Sequence, residues 1–308
     1  MHYFDEGESD MSEPLFEGVL PAIITPFDSD GNVDFDALRD VVRFQIERGV
    51  HGFFACGTVG EGVLMSIEQR KSVAEAIVRE AKGKVPVIVH VGTTNTSESV
   101  ELTKHAEQIG AEAIGAVTPF FFKPDVEGLK MHYQSIAEAA NIPVFVYNIP
   151  GMTGFNITAE IFRKLCMIEG VAGIKDSSGN LSQIQEIIET TPKPITVING
   201  SDDILLAALI VGASAEVSGT ANVAPELLVE LYESYKEGNL KKALKLQRKL
   251  NALKRVLYEI CPSNVSSIKA ALEMRGVKAG VPKKPLRPLN SEELSRLKDK
   301  LSALNLYW

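Results

Sequence analysis

From Val19 onward, short runs rich in Val and Ile alternate with longer amphipathic stretches, the pattern of strands that cross over through helices into a parallel sheet. The runs predict strands at residues 19–25, 52–55, 85–91, 113–117, 143–147, 171–175, 195–198 and 215–218. A helical period falls between and after them, near residues 34–48, 67–82, 97–109, 125–140, 158–166, 181–190, 202–211 and 224–237. Eight strand–helix units in about 220 residues match a closed (β/α)8 TIM barrel in the α/β class, whereas an open doubly wound sheet usually stops at five or six strands.

Helix punctuation supports these boundaries. Ser97 before Glu98, and Thr158 before Glu160, read as N-caps, and Pro225 after Ala224 suits a first turn. Gly49, Gly83, Gly110, Gly170 and Gly212 each follow an apolar-periodic stretch, where a left-handed residue closes a helix. Past Gly238 the pattern is purely helical through about Arg275. A Pro-rich connector over 281–288 then leads to a last helix near 291–304. The expected organisation is a flexible extension over 1–14, a barrel over 15–238 and a C-terminal helical appendage over 239–308.

Composition narrows the class. With 45% hydrophobic and 23% charged residues, the chain can bury a sizeable core. Its net charge of -8, without a basic block, argues against a nucleic-acid partner. Lys236, Lys241, Lys242, Lys245 and Lys249 alternate with apolar residues at helical spacing and read as a solvated face. The polar, acidic start lacks the basic and apolar regions of a signal peptide, and no run is long enough to span a membrane. Cys56, Cys166 and Cys261 form no CxxC pair, so neither a zinc knuckle nor a disulfide framework is indicated. A cytoplasmic location fits best.

In a barrel of this kind the active site is built from the C-terminal ends of the strands and the loops that follow. Lys175 ends an apolar strand where inward positions are otherwise branched aliphatics. Desolvation there favours the neutral amine, the species that attacks a ketone to form an imine. The bland alternative is a strand-end lysine that reaches solvent or pairs with Asp176. Tyr147 ends the preceding strand and could shuttle protons beside Lys175, or simply cap the core with its hydroxyl in water. The turn Gly57-Thr58-Val59-Gly60-Glu61 offers backbone N–H groups and a hydroxyl to a carboxylate, although glycine-rich turns often only turn. His2, His51, His90, His105 and His132 include no HxH or HExxH pair, so no metal is expected. A GxGxxG fingerprint after the first strand is missing, which removes a dinucleotide cofactor. No cofactor is expected at all.

These residues together resemble the dihydrodipicolinate synthase and N-acetylneuraminate lyase family of class I aldolases, over roughly Phe16 to Pro288. The resemblance rests on Gly18-Val-Leu-Pro-Ala-Ile-Ile-Thr-Pro-Phe, Gly57-Thr-Val-Gly-Glu, Thr118-Pro-Phe-Phe, Tyr147-Asn-Ile-Pro-Gly-Met-Thr-Gly, Gly173-Ile-Lys-Asp and Gly200-Ser-Asp-Asp. It implies a Schiff base between Lys175 and a 2-oxo acid, with Tyr147 as proton donor and acceptor. Thr58 would hold the carboxylate and relay the tyrosine's proton, with the Val59 N–H beside it. A homotetramer, as a dimer of dimers, comes with the family.

Departures from the family pattern point to a member other than a true dihydrodipicolinate synthase. Met152 stands where an arginine holds the carboxylate of the incoming aldehyde, and a thioether cannot replace a bidentate guanidinium. Phe121 lacks the hydroxyl of the tyrosine usual there. Val59 replaces a second hydroxyl residue, and Gly62 a serine. The expectation is therefore an aldolase or lyase for a 2-keto-3-deoxy sugar acid such as 2-keto-3-deoxygluconate, releasing pyruvate and an aldehyde. Dihydrodipicolinate synthase activity, a dehydratase using the same imine, and a non-catalytic 2-oxo acid binder stay open. Gly57, Gly200, Met152, Thr153 and Ser218 are expected around the substrate, with Thr93 and Thr220 as further hydroxyls. The helix start at 222–225 offers a place for a substrate phosphate.

Overall fold

The computed structural model describes residues 13–261 and 263–306. Of the expected extension, only Glu13 and Pro14 fall within that range. The strands are β1 (Gly18–Pro21), β2 (Phe53–Ala55), β3 (Val87–His90), β4 (Ala113–Val117), β5 (Val144–Asn148), β6 (Val171–Asp176), β7 (Thr196–Asn199) and β8 (Ala215–Ser218). All pair in parallel, each with its sequence neighbour, and β8 pairs with β1. A parallel bridge between Ala22 and Phe54 brings β1 back to β2, so the eight strands form a nearly closed TIM barrel.

Ten helices alternate with or follow the strands as far as the appendage: α1 (Phe35–Ile46), α2 (Ile67–Ala81), α3 (Thr96–Gln108), α4 (Val126–Ala137), α5 (Pro150–Thr153), α6 (Ala159–Leu165), α7 (Leu181–Thr190), α8 (Leu205–Ile210), α9 (Pro225–Lys236) and α10 (Leu240–Ile260). Two more, α11 (Asn264–Met274) and α12 (Ser291–Ala303), complete the C-terminal helical segment. Gly49, Gly83, Gly110, Gly170 and Gly212 all take positive φ, as helix closure requires.

Several boundaries move for local reasons. The cap of α3 is Asn95, whose side chain accepts from Glu98 N–H at 2.9 Å, while Ser97 sits inside the first turn. Strand β1 is shorter than its apolar run: past Pro21, Ala22 keeps one bridge to Phe54 and the Ile24 N–H turns to the Asn222 side chain. The stretch at 202–211 is a 3₁₀ turn (Asp202–Ile204) followed by α8. The helical pattern to Arg275 divides into α10 and α11 after Ile260: Cys261 is extended at φ -143, ψ 142, as the residue before a proline prefers. Short α5 follows β5 on a Pro at its first turn. Cys56, Cys166 and Cys261 are buried free thiols. Among the described residues no helix is long and apolar enough to cross a membrane.

Candidate active site

In β6 successive side chains point to opposite faces, which separates Lys175 from its neighbour. Asp176 faces the helix layer, where its carboxylate accepts from Asn148 Nδ2 at 2.8 Å and Gln183 Nε2 at 2.8 Å. Lys175 faces the barrel interior and is 3% exposed, so it neither pairs with Asp176 nor reaches solvent. Its Nζ lies 3.9 Å from the ring centroid of Phe54 and 3.9 Å from that of Tyr147. Burial pulls the Lys175 pKa below its ordinary value; the Tyr147 hydroxyl and Glu216 oppose that pull without cancelling it. A depressed pKa raises the fraction of neutral amine at any pH below 10.5.

Tyr147 is registered directly beside Lys175 across the β5–β6 ladder. Its ring is held edge-on by Phe54 at 5.5 Å and His90 at 5.7 Å, and its hydroxyl lies 3.3 Å from Thr58 Oγ1. His90 is buried and kept neutral: desolvation first, then the Arg70 and Lys175 charges, hold its pKa well below the usual value.

Thr58 and Val59 come from the turn after β2, whose shape is enforced rather than loose. Cys56 and Glu61 take left-handed φ of 56° and 59°. A Cβ on Gly62 would meet the Cys56 carbonyl oxygen at 1.8 Å, so the backbone in this turn excludes a serine there. From behind, Glu61 forms an ion pair with Lys269 of α11 at 2.5 Å and accepts from the Lys283 backbone N–H at 2.5 Å. Lys269 Nζ also donates to the Thr25 carbonyl at 2.7 Å and the Val281 carbonyl at 2.8 Å, and Thr25 Oγ1 donates to the Gly60 carbonyl at 2.8 Å. Burial pushes Glu61 up and Lys269 down, and each partner's charge opposes the shift. The appendage thus grips the turn through a buried ion pair that sequence reading missed.

A cavity of about 310 Å³ opens above these residues. Lys175, Tyr147, Thr58, Val59, Met152 and Gly200 line it. Gly200 passes so close that a Cβ would meet Ser177 Oγ at 2.1 Å and Lys175 Cε at 3.2 Å. Gly57 lies beneath the turn against the Phe54 ring and does not line the cavity. The expected hydroxyl contacts are also elsewhere. Thr153 Oγ1 donates to the Ile149 and Phe155 carbonyls, Ser218 Oγ accepts from Ala221 N–H, Thr93 Oγ1 donates to the Asn95 carbonyl and Thr220 Oγ1 to Asp202. Such side chains satisfy loop backbone first. The helix start at 222–225 does not reach the cavity: the Asn222 amide bonds Ile24, Ala22 and Gly219, tying β1 to the loop after β8. Phe121 stands 86% exposed at φ 76° beside exposed Phe122, outside the cavity. Cavity residues that had no place in the sequence expectations include Ser177 after β6, Lys254 and Tyr258 of α10, and Asn264 of α11. Among the described residues no group of three or more His, Cys, Asp or Glu is placed to hold a metal ion.

A buried lysine beside a tyrosine at the rim of a parallel barrel is the arrangement that an amine-based carbon–carbon lyase, a class I aldolase, requires. The chain belongs to the Dihydrodipicolinate synthetase family, whose sequence pattern matches residues 15–304. It is 39% identical over 292 residues, 95% of this chain and 99% of the relative, to a protein of Archaeoglobus fulgidus named 4-hydroxy-tetrahydrodipicolinate synthase. Among solved structures it is similar to a prophage protein of the dihydrodipicolinic acid synthase family from E. coli K12 in complex with pyruvate, at TM-score 0.91 and 29% identity, covering 95% of this chain and 100% of that one. A Ruminococcus gnavus sialic acid aldolase, studied as a catalytic lysine mutant, gives TM-score 0.88 and 29% identity over 94% of this chain and 96% of that one. This relative and those from Methanothrix thermoacetophila and Methanopyrus kandleri carry the synthase name, the reading placed second on sequence, and not a 2-keto-3-deoxygluconate aldolase name.

Proposed function

We propose that the chain forms a Schiff base between Lys175 and pyruvate and joins or cleaves a carbon–carbon bond at the resulting enamine. The observation that carries this is the Lys175 amine, buried between two aromatic rings with no carboxylate in contact and aimed into the cavity. The neutral amine adds to C2 of pyruvate, and the carbinolamine then loses water as the imine forms. Tyr147 supplies the proton that leaves with that oxygen as water, and the phenolate it becomes stays hydrogen-bonded to the Thr58 hydroxyl, 3.3 Å away. Thr58 Oγ1 and the Val59 N–H receive the pyruvate carboxylate. The Tyr147 phenolate takes a C3 proton to give the enamine, whose C3 attacks the aldehyde carbon while Tyr147 returns that proton to the aldehyde oxygen, and water then hydrolyses the new imine and frees the amine. Incubation with pyruvate and borohydride, followed by mass measurement, should give one adduct of reduced pyruvate; an adduct that persists in Lys175→Ala would place the chemistry elsewhere.

For the aldehyde, the relatives' names support aspartate semialdehyde and hence 4-hydroxy-tetrahydrodipicolinate synthase activity. Met152 favours the second reading, a 2-keto-3-deoxy sugar acid, because it puts an apolar side chain in the cavity wall. Parallel assays of synthesis from aspartate semialdehyde and of pyruvate release from 2-keto-3-deoxygluconate decide between them. Turnover of either that disappears in Tyr147→Phe excludes a mere binder. The assembly carried by the family resemblance, a homotetramer, is tested by sedimentation.

A further inference from the structure

Helix α10 carries two stripes. Leu246, Leu250, Leu253 and Leu257 are buried and seat it on the molecule. Beside them Gln247, Asn251, Lys254 and Tyr258 recur at spacings of four, three and four, one face of an α-helix. The first half of that face engages the loop after β7: the Gln247 amide donates to the Asp202 carbonyl at 2.7 Å and to Asn251 Oδ1 at 2.6 Å, and its oxygen accepts from Leu206 N–H at 2.8 Å. The second half, Lys254 and Tyr258, is thereby fixed along the cavity that holds Lys175.

Lys254 Nζ is paired with Asp203 and lies 5.4 Å from the Tyr258 ring centroid. The Lys254 side chain is 17% exposed and that of Asp203 is 52% exposed. A pair that open to water on its acidic side holds weakly, so an anion arriving from the cavity displaces Asp203 readily. Among the described residues that line the cavity, Lys175 and Lys254 are the cations, and Lys175 is the amine consumed in the imine. Met152 adds an apolar wall, and Asn264 adds an amide on the Lys254 side through the adjoining helix.

We propose that Lys254 holds an anionic group, carboxylate or phosphate, at the far end of the aldehyde that meets the pyruvate enamine. This rests on the Schiff-base reading above and adds the acceptor's charge to it. Asp203 is then a competing internal anion, so its removal should strengthen the grip that removal of Lys254 weakens.

The test is steady-state kinetics of wild type, Lys254→Gln and Asp203→Asn with pyruvate and three aldehydes: aspartate semialdehyde, glyceraldehyde 3-phosphate and neutral glyceraldehyde. Borohydride trapping of pyruvate is run on each protein in parallel. Wild type should prefer one charged aldehyde, and the two charged arms tell carboxylate from phosphate. Lys254→Gln should raise KM for that aldehyde by about tenfold or more, with kcat, the pyruvate KM and the glyceraldehyde KM within about twofold. Asp203→Asn should lower the same KM. A KM that is unchanged in Lys254→Gln, that rises equally for charged and neutral aldehydes, or that also rises in Asp203→Asn overturns the proposal, as does trapping without turnover of either charged aldehyde. A wild-type protein that traps no pyruvate removes the Schiff-base reading and this inference with it.

Discussion

Two lysines are buried at the same end of the barrel, and they have opposite surroundings. Lys175 is 3% exposed and Lys269 is 1% exposed, and burial depresses the pKa of both. Lys269 has Glu61 and two backbone carbonyls within hydrogen-bond reach, and the Phe27 ring 4.8 Å away. Lys175 has two aromatic faces and a cavity. Burial alone therefore does not make a lysine reactive. A full set of acceptors holds the charge and makes a strut, whereas aromatic faces hold it weakly and leave the neutral amine accessible.

The comparison breaks first at Lys175. Replacement by Met removes the nucleophile and should lower kcat by on the order of 10⁴-fold or more, with complete loss of the borohydride adduct by mass. Replacement of Lys269 by Met should leave some adduct in whatever protein folds but cost about 3–5 kcal/mol of stability, because it strands the Glu61 carboxylate in the interior. Denaturant unfolding measures that loss, and a double replacement, Lys269→Met with Glu61→Gln, should recover much of it. If Lys269→Met is as stable as wild type, the strut assignment is wrong. At Tyr147, replacement by Phe keeps the ring packed against Phe54 and His90 but removes the hydroxyl, and should lower kcat by about 10²–10³-fold while the adduct still forms slowly. An unchanged kcat would give the proton to another group.

Of these two lysines, the sequence made only one visible. Lys175 stands out because a charge ends an apolar strand, and a count of eight apolar runs was enough to place that strand end on the barrel rim. The strand limits at 113–117 and 215–218 match β4 and β8 residue for residue. Lys269 sits in a helix of ordinary amphipathic pattern, and its partner Glu61 lies 208 positions earlier, so no local period connects them. The same holds for Lys254 and Tyr258 of α10, which no local pattern singles out and which meet the cavity only because the helix is docked across it. Thr153, Ser218, Thr93 and Thr220 differ in the opposite way, since each hydroxyl already has a partner within the protein. Their position near strand ends was right, but loop hydroxyls satisfy nearby backbone and side-chain groups before they can meet a ligand. Met152 is the residue where sequence and relatives still pull apart, since it lines the cavity while the relatives carry the synthase name.

The smallest expected effect is also the sharpest discriminator, because its sign differs between the two lysines. The folded-state pKa of Lys175 lies below its unfolded value of 10.5. Below the folded value both states carry the proton, and the folded state bears the full cost of the buried charge. As pH rises toward 10.5 the folded lysine sheds its proton before the unfolded one, and the cost fades. Lys175→Met, which keeps the length and removes the charge, should therefore unfold at higher denaturant than wild type near pH 7, by on the order of 1 kcal/mol. That gain should shrink as pH rises through the folded-state value toward 10.5. Lys269→Met should show a loss near pH 7, where the Glu61 carboxylate has lost its ion-pair partner and keeps only the Lys283 N–H. A Lys175→Met protein less stable than wild type at pH 7 would mean that the two rings hold the ammonium better than water does, and Lys175 would then belong with Lys269 as a packed cation instead of a poised amine.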